Sequence, residues 1–209
     1  FKVSDVSDPT SLLSVQGKSA AEVVGKVLNT SVADLPRNGV SELEDVTVIR
    51  ATHTSEDGFD LVVDSARAGA LRQGLLDAGA TAVDQETFEV LRIEAGIARF
   101  GVDMDETNVL PETNLDDAVS YSKGCYVGQE IIVRIKHRGH PAKKLVGLKS
   151  DQPLVPGAII TSAAVSPKAG NIGLGYVRYD SIEPGTRVVV DGVDATVSEL
   201  PFIRGSWYA

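Results

Sequence analysis

Two β-branched runs stand close together in the first third of the chain, Val46-Thr-Val-Ile-Arg-Ala-Thr52 and Phe59-Asp-Leu-Val-Val63, with Glu56-Asp57-Gly58 between them. Such runs on either side of an Asp-Gly turn predict a hairpin. Upstream, Leu12-Leu-Ser-Val15 predicts a short strand, and Ser19-Ala-Ala-Glu22 has the spacing of a capping box that opens a helix through about Leu28. Downstream, Ser65 is the expected cap of a second helix, in which Ala66, Ala70, Leu71, Leu75 and Leu76 recur near helical intervals and which Gly79 closes. Thr81-Ala-Val83 predicts a last short strand. The resulting order, β-α-β-β-α-β, is the split βαβ arrangement of ferredoxin-like folds, and the expected class is α+β.

Asp84 is the expected cap of a third helix, Glu86 to Ala95, which Gly96 ends. Residues 97–122 read as irregular, with turn and cap formers such as Asp103, Asn108, Pro111 and Asn114. Ile131, Ile132 and Ile135 keep a helical interval, so Gln129–His137 is expected to be helical. From Lys144 the texture changes to short strands: Leu145–Leu148, Ala158–Thr161, Gly173–Tyr179, Arg187–Val190 and Val193–Val197, the last two joined by the hairpin dipeptide Asp191-Gly192. Two regions are therefore expected, 1–142 and a small carboxy-terminal β-barrel over 143–209. Gly170-Asn-Ile-Gly-Leu-Gly175 has the wrong glycine order for a dinucleotide loop and no helix after it.

Phe1 stands where an initiator methionine would, and Phe1–Ser7 alternates like a strand, which reads as a chain cut inside a larger protein. No leader segment is visible, and the expected compartment is the cytoplasm, or an organelle matrix in a eukaryote. No apolar run approaches the roughly 18 residues that cross a bilayer. One cysteine, Cys125, excludes an internal disulfide and any all-cysteine zinc site supplied by this chain alone. The net charge is −9, but residues 1–122 carry 22 acidic against 9 basic side chains, whereas residues 123–149 carry 7 basic against one acidic. An acidic chain is a poor non-specific nucleic-acid binder, and no direct nucleic-acid partner is expected. The basic stretch reads as a local anion site, a face for an acidic partner, or a solvated surface.

The densest block of chemistry is Lys123-Gly-Cys-Tyr-Val-Gly-Gln-Glu130. Its glycines allow backbone N–H groups to approach a ligand. Cys125 follows a lysine by two residues and precedes a helix start, both of which favour a thiolate; the alternative is an ordinary buried cysteine. His137-Arg-Gly-His140 invites a metal reading, with anion contact by Lys136 and Arg138, or solvation, as the rivals. Thr54-Ser-Glu-Asp-Gly58 is either a plain turn or a turn whose glutamate accepts two parallel hydrogen bonds from an amidine-like edge, as in a pterin or guanine. Spacing alone leaves these open.

Taken together these residues resemble a family. The block Lys123–Glu130 is similar to the signature of YgfZ-type folate-binding proteins, relatives of the glycine-cleavage T-protein (aminomethyltransferase). Thr54–Gly58 resembles that family's T-G-E-D-G turn with Ser55 in place of glycine, and Leu91-Arg-Ile-Glu-Ala-Gly96 resembles L-R-x-E-A-G. Phe100-Gly-Val-Asp-Met-Asp105 and Leu110-Pro-Glu112 resemble the segments that follow.

The resemblance implies the aminomethyltransferase folate-binding fold, a three-domain cloverleaf with tetrahydrofolate in its central hole. It implies Glu56 as the holder of the pterin ring, and Arg92, Asp103, Tyr126, Gln129 and Glu130 as further cofactor-binding residues. Cys125, supported by Lys123, is the expected reactive group. The implied role is a folate-dependent accessory to iron–sulfur cluster assembly or repair, with client enzymes that include tRNA-modifying ones. A glycine-cleavage aminomethyltransferase is the alternative, and a docking module using residues 123–144 a further one. Two departures bear on this ranking. The amino-terminal segment that carries the T-protein's catalytic aspartate is expected to be absent, and Phe88-Glu89 stands where the T-protein reads Arg-Asp.

Overall fold

A computed structural model describes residues 2–115 and 118–209. The chain packs as two compact units: one comprises the residues up to Phe88 together with Arg204–Ala209, the other Glu89–Ile203.

The first unit is a four-stranded antiparallel sheet of order β1-β4-β3-β2, made of β1 (Thr10–Gln16), β2 (Val40–Leu43), β3 (Val46–Arg50) and β4 (Gly58–Asp64). The predicted hairpin is β3–β4, with Val48 opposite Leu61. Alternation puts Val46, Val48, Phe59, Leu61 and Val63 on one face, where α1 (Ala20–Val27) and α2 (Ser65–Asp77) cover them with Ala20, Val24 and Leu75. The opposite face carries Asp60 between Ser14 and Ile49.

The expected β-α-β-β-α-β order is corrected in two places. A strand that the reading missed, β2, lies between α1 and β3. Its turn to β3 is Glu44-Asp45, with Glu44 in the left-handed region at φ 52°, a residue that carries no turn signature. Thr81–Val83 forms no strand: it is exposed and pairs with nothing, so the outer edge of β1 stays unpaired among the described residues. Residues 2–7 form no strand either, and Phe1 lies outside the described residues. The caps differ in detail. Ser19 occupies the N-cap of α1 without a side-chain hydrogen bond, and α2 is capped by the Asp64 carboxylate, which accepts from Ala66 N at 2.8 Å.

In α3 (Gln85–Glu94), the Asp84 carboxylate accepts from Thr87 N at 2.8 Å. Gly96 follows at φ 70°, and a Cβ there would meet the Leu200 side chain at 2.8 Å. The second unit then runs through loops and α4 (Gln129–Arg138) into a five-stranded antiparallel sheet of order β6-β7-β5-β9-β8. These strands are β5 (Lys143–Ser150), β6 (Ile160–Ser166), β7 (Gly170–Arg178), β8 (Arg187–Val190) and β9 (Val193–Ser198). Both faces are apolar: Val146, Leu148, Ile160 and Val197 pack on one, and Leu145, Ile172 and Leu174 meet Ile93 of α3 on the other. Gly170–Gly175 is thus the first part of β7. The Asp191-Gly192 turn has both residues at positive φ, and the Asp191 carboxylate accepts from the backbone N–H groups of Ala158, Ile159 and Ile160.

Candidate functional site

In the first unit the site is the loop between β3 and β4, residues 51–57. Arg50, at the end of β3, makes a two-pronged ion pair with Asp57, donating from Nε at 2.9 Å and Nη2 at 2.8 Å, while Nη1 donates to Leu35 O at 2.6 Å. Gln16 of β1 grips the loop from the other side: its Nε2 donates to Ala51 O at 3.2 Å and its Oε1 accepts from His53 N at 3.0 Å. Thr52 Oγ1 donates to Glu56 O at 2.6 Å. Ser55 sits at φ 67°, the left-handed conformation in which glycine is at ease. The residue that departs from the T-G-E-D-G pattern therefore keeps the backbone that pattern needs.

The carboxy-terminal residues complete the loop. Gly205 N donates to Ser55 Oγ at 2.9 Å, Trp207 N to Ser55 O at 3.1 Å, and Asp57 N to Ser206 Oγ at 2.9 Å. Glu56 Oε2 accepts from both Ser206 N, at 3.0 Å, and the Ser206 hydroxyl. The tail passes so closely that a Cβ on Gly205 would lie 2.4 Å from Ser55 O. Glu56 is thus a carboxylate whose position is set by two donors from a segment 150 residues away.

The same loop holds a pair that the sequence reading passed over. His53 Nε2 lies 2.8 Å and 3.1 Å from the two carboxylate oxygens of Asp60 on β4. The hydrogen bond to Asp60 raises the His53 pKa above its ordinary value, against the opposing effect of burial. A single carboxylate in the apolar run Phe59–Val63 is the signal that could have found the pair. Ser206 had no such signal.

In the second unit Arg92 and Asp103 meet in a buried, hydrogen-bonded ion pair, Arg92 Nη1 to Asp103 Oδ2 at 2.8 Å, with both side chains almost wholly excluded from solvent. Arg92 Nη2 also donates to Glu89 at 2.9 Å and to Ser162 Oγ at 2.9 Å. Asp103 further accepts from Arg99 N at 2.9 Å, Thr161 Oγ1 at 2.6 Å and Ser162 Oγ at 2.6 Å. These bonds tie α3 and the loop after it to β6. Arg92 and Asp103, two of the expected cofactor-binding residues, are brought together with their polar atoms engaged on one another.

The block Lys123–Glu130 lies in the second unit as well. Cys125 is exposed, which removes the buried-cysteine alternative. Lys123 Nζ stands 5.2 Å from the centre of the Tyr126 ring, and the Tyr126 hydroxyl is buried without a partner among the described residues. Gly128 at φ 86° turns the chain into α4, whose first two residues are Gln129 and Glu130. Nothing in α4 is fully buried, and Lys136 Nζ lies 3.1 Å from the centre of the Tyr121 ring. His140 stacks on Tyr179 with ring centres 3.9 Å apart. Among the described residues no three histidine, cysteine or carboxylate side chains converge as a metal site.

Residues 1–123 match the model of the GCVT N-terminal domain family. An aminomethyltransferase of Saccharopolyspora erythraea is 32% identical over 96% of this chain and 62% of its own length. One of Halothermothrix orenii is 27% identical over 97% of this chain and 63% of its own. The crystal structure of glycine cleavage system aminomethyltransferase T from Bartonella henselae superposes with a TM-score of 0.83 at 28% identity, covering 93% of this chain and 60% of that one. The chain therefore spans less than two thirds of the length of these relatives.

Proposed function

The chain belongs to the GCVT N-terminal domain family, and from that premise we propose that it binds tetrahydrofolate as a protein of the glycine-cleavage aminomethyltransferase type, with Glu56 holding the pterin ring. The observation that carries this reading is the fixed carboxylate on the 51–57 loop. One of its oxygens is already oriented by Ser206 N and Oγ, and the turn beneath it keeps a left-handed residue at position 55. A pterin presents a ring N–H beside an exocyclic amino N–H, a pair of parallel donors that a carboxylate accepts in the manner of a guanidinium. The residues present fit that edge, and relatives named aminomethyltransferase align along nearly the whole chain. The test compares tetrahydrofolate with an analogue that lacks the exocyclic amino group. The expected result is saturable binding of the first and a loss of about tenfold or more with the second, because a hydrogen bond to a charged group contributes about 1.5–3 kcal/mol. Equal affinities would refute the role of Glu56.

A second reading is favoured by one observation: the chain's single cysteine, Cys125, is exposed within the block Lys123–Glu130. On this reading the protein is a YgfZ-type accessory to iron–sulfur cluster assembly or repair, with Cys125 as its reactive group and cluster-bearing enzymes as its clients. Complementation of a cluster-enzyme defect by wild type but not by Cys125→Ser supports it. Full rescue by the variant removes it.

A further inference from the structure

We propose that the chain associates head to tail with a second copy of itself, the exposed basic face of α4 in one copy seating in an acid-rimmed apolar cleft on the first unit of the other. The inference is independent of the folate reading. The cleft, of about 650 Å³, lies between the end of α1, the β2–β3 turn and α2. Its floor includes Leu28, Leu43 and Leu71, half-buried side chains that pack against the core. Its rim holds Glu42, Glu44 and Asp45 against one basic residue, Arg67, which is bonded to Asp45. Neither Glu42 nor Glu44 belongs to an ion pair among the described residues. A concave apolar surface ringed by net negative charge is complementary to an apolar segment that carries cations.

The start and outer face of α4 have that composition. Ile132, Val133 and Ile135 are half-buried, whereas Ile131 is 55% exposed. Ile131 shares a helix face with Arg134 and Arg138, three and seven residues on, both of them exposed. Val127, just ahead of the helix, is exposed as well. No ion pair among the described residues includes Arg134 or Arg138. An acidic partner of another kind would answer the arginines alone. A second copy answers both features at one place, since its cleft offers carboxylates around an apolar floor. The charge is divided in the same sense along the chain, with 22 acidic against 9 basic side chains in residues 1–122 and 7 basic against one acidic in residues 123–149. Helix and cleft are different surfaces, so the contact is heterologous and leaves a free helix on one copy and a free cleft on the other. Its charges are exposed, so salt weakens it.

The test is sedimentation velocity of the full chain from micromolar to millimolar concentration. The mass is expected to rise above that of the monomer with concentration. The dissociation constant should increase about tenfold or more between about 0.1 M and about 1 M salt, as the screening length falls from about 10 Å to about 3 Å. Two charge-reversed chains, Glu42→Lys/Glu44→Lys and Arg134→Glu/Arg138→Glu, should each be monomeric, because cleft and helix then carry the same sign. An equimolar mixture of the two should associate, because each chain's cleft again meets a helix of opposite sign. Ile131→Ser, a surface change, should weaken wild-type association about fivefold and leave its salt dependence in place. A monomer at every concentration would overturn the proposal. So would association that persists undiminished in either charge-reversed chain or in Ile131→Ser, or a mixture of the charge-reversed chains that stays monomeric.

Discussion

At the residue scale the first unit is organised by contacts of very long sequence separation on one short loop. Gly205 is required there because Ser55 O lies where any side chain would start. Gly205→Ala is expected to cost about 1–3 kcal/mol of stability, the usual penalty for forcing extra volume into a packed contact, read by denaturant titration. The His53–Asp60 pair adds a pH dependence. A folded-state pKa raised above the ordinary histidine value means that the pair's stabilisation is fully present below that ordinary value and is lost as pH rises through the folded pKa. Relative to His53→Gln, wild type should therefore be most stable in mild acid, and the difference should fade toward alkaline pH in thermal melts. None of these contacts was legible in the sequence. Gly205 and Ser206 meet Ser55 and Glu56 across 150 residues, and no local pattern encodes a pairing of that kind. What was legible is the turn itself, because Thr54–Gly58 stands between two β-branched runs.

At the scale of elements, local chemistry explains both the agreements and the misses. Asp191-Gly192 and the β3–β4 pair could be read because turn residues and alternation point the same way. The strand β2 could not, because Glu44 adopts a left-handed conformation that glutamate seldom takes. Glu44→Gly should relieve a cost of about 1 kcal/mol and raise the stability of the chain by a similar amount, measured in urea. The false strand at 81–83 shows the opposite error: three β-compatible residues with no ladder to join remain an exposed connection. In the second unit, the Arg92–Asp103 pair is the element-level clamp between α3 and β6. Asp103→Asn leaves the buried Arg92 guanidinium with only the more exposed Glu89 as counter-charge and should cost about 3 kcal/mol, again by denaturant titration. The resemblance named Arg92 and Asp103 as cofactor-binding residues, but neither their ion pair nor the serine and threonine of β6 that complete its hydrogen bonds was legible.

At the scale of the whole molecule, the chain combines a family-wide scaffold with a segment of different character. Residues 1–123 match the family model, while residues 123–149 hold the basic stretch with the exposed Cys125 near its start. With its sole thiol exposed, the native protein should react with one equivalent of a thiol reagent without denaturant; protection of Cys125 would contradict the surface described for it. The central claim concerns Glu56. The most direct measurement is titration of tetrahydrofolate into the chain, its Glu56→Ala variant and its Gly205→Ala variant, the last disturbing the tail while keeping the carboxylate. The account predicts one saturable site in wild type, a loss of about tenfold or more in Glu56→Ala, and a smaller loss in Gly205→Ala. Equal affinity in wild type and Glu56→Ala, or binding in neither, would contradict it.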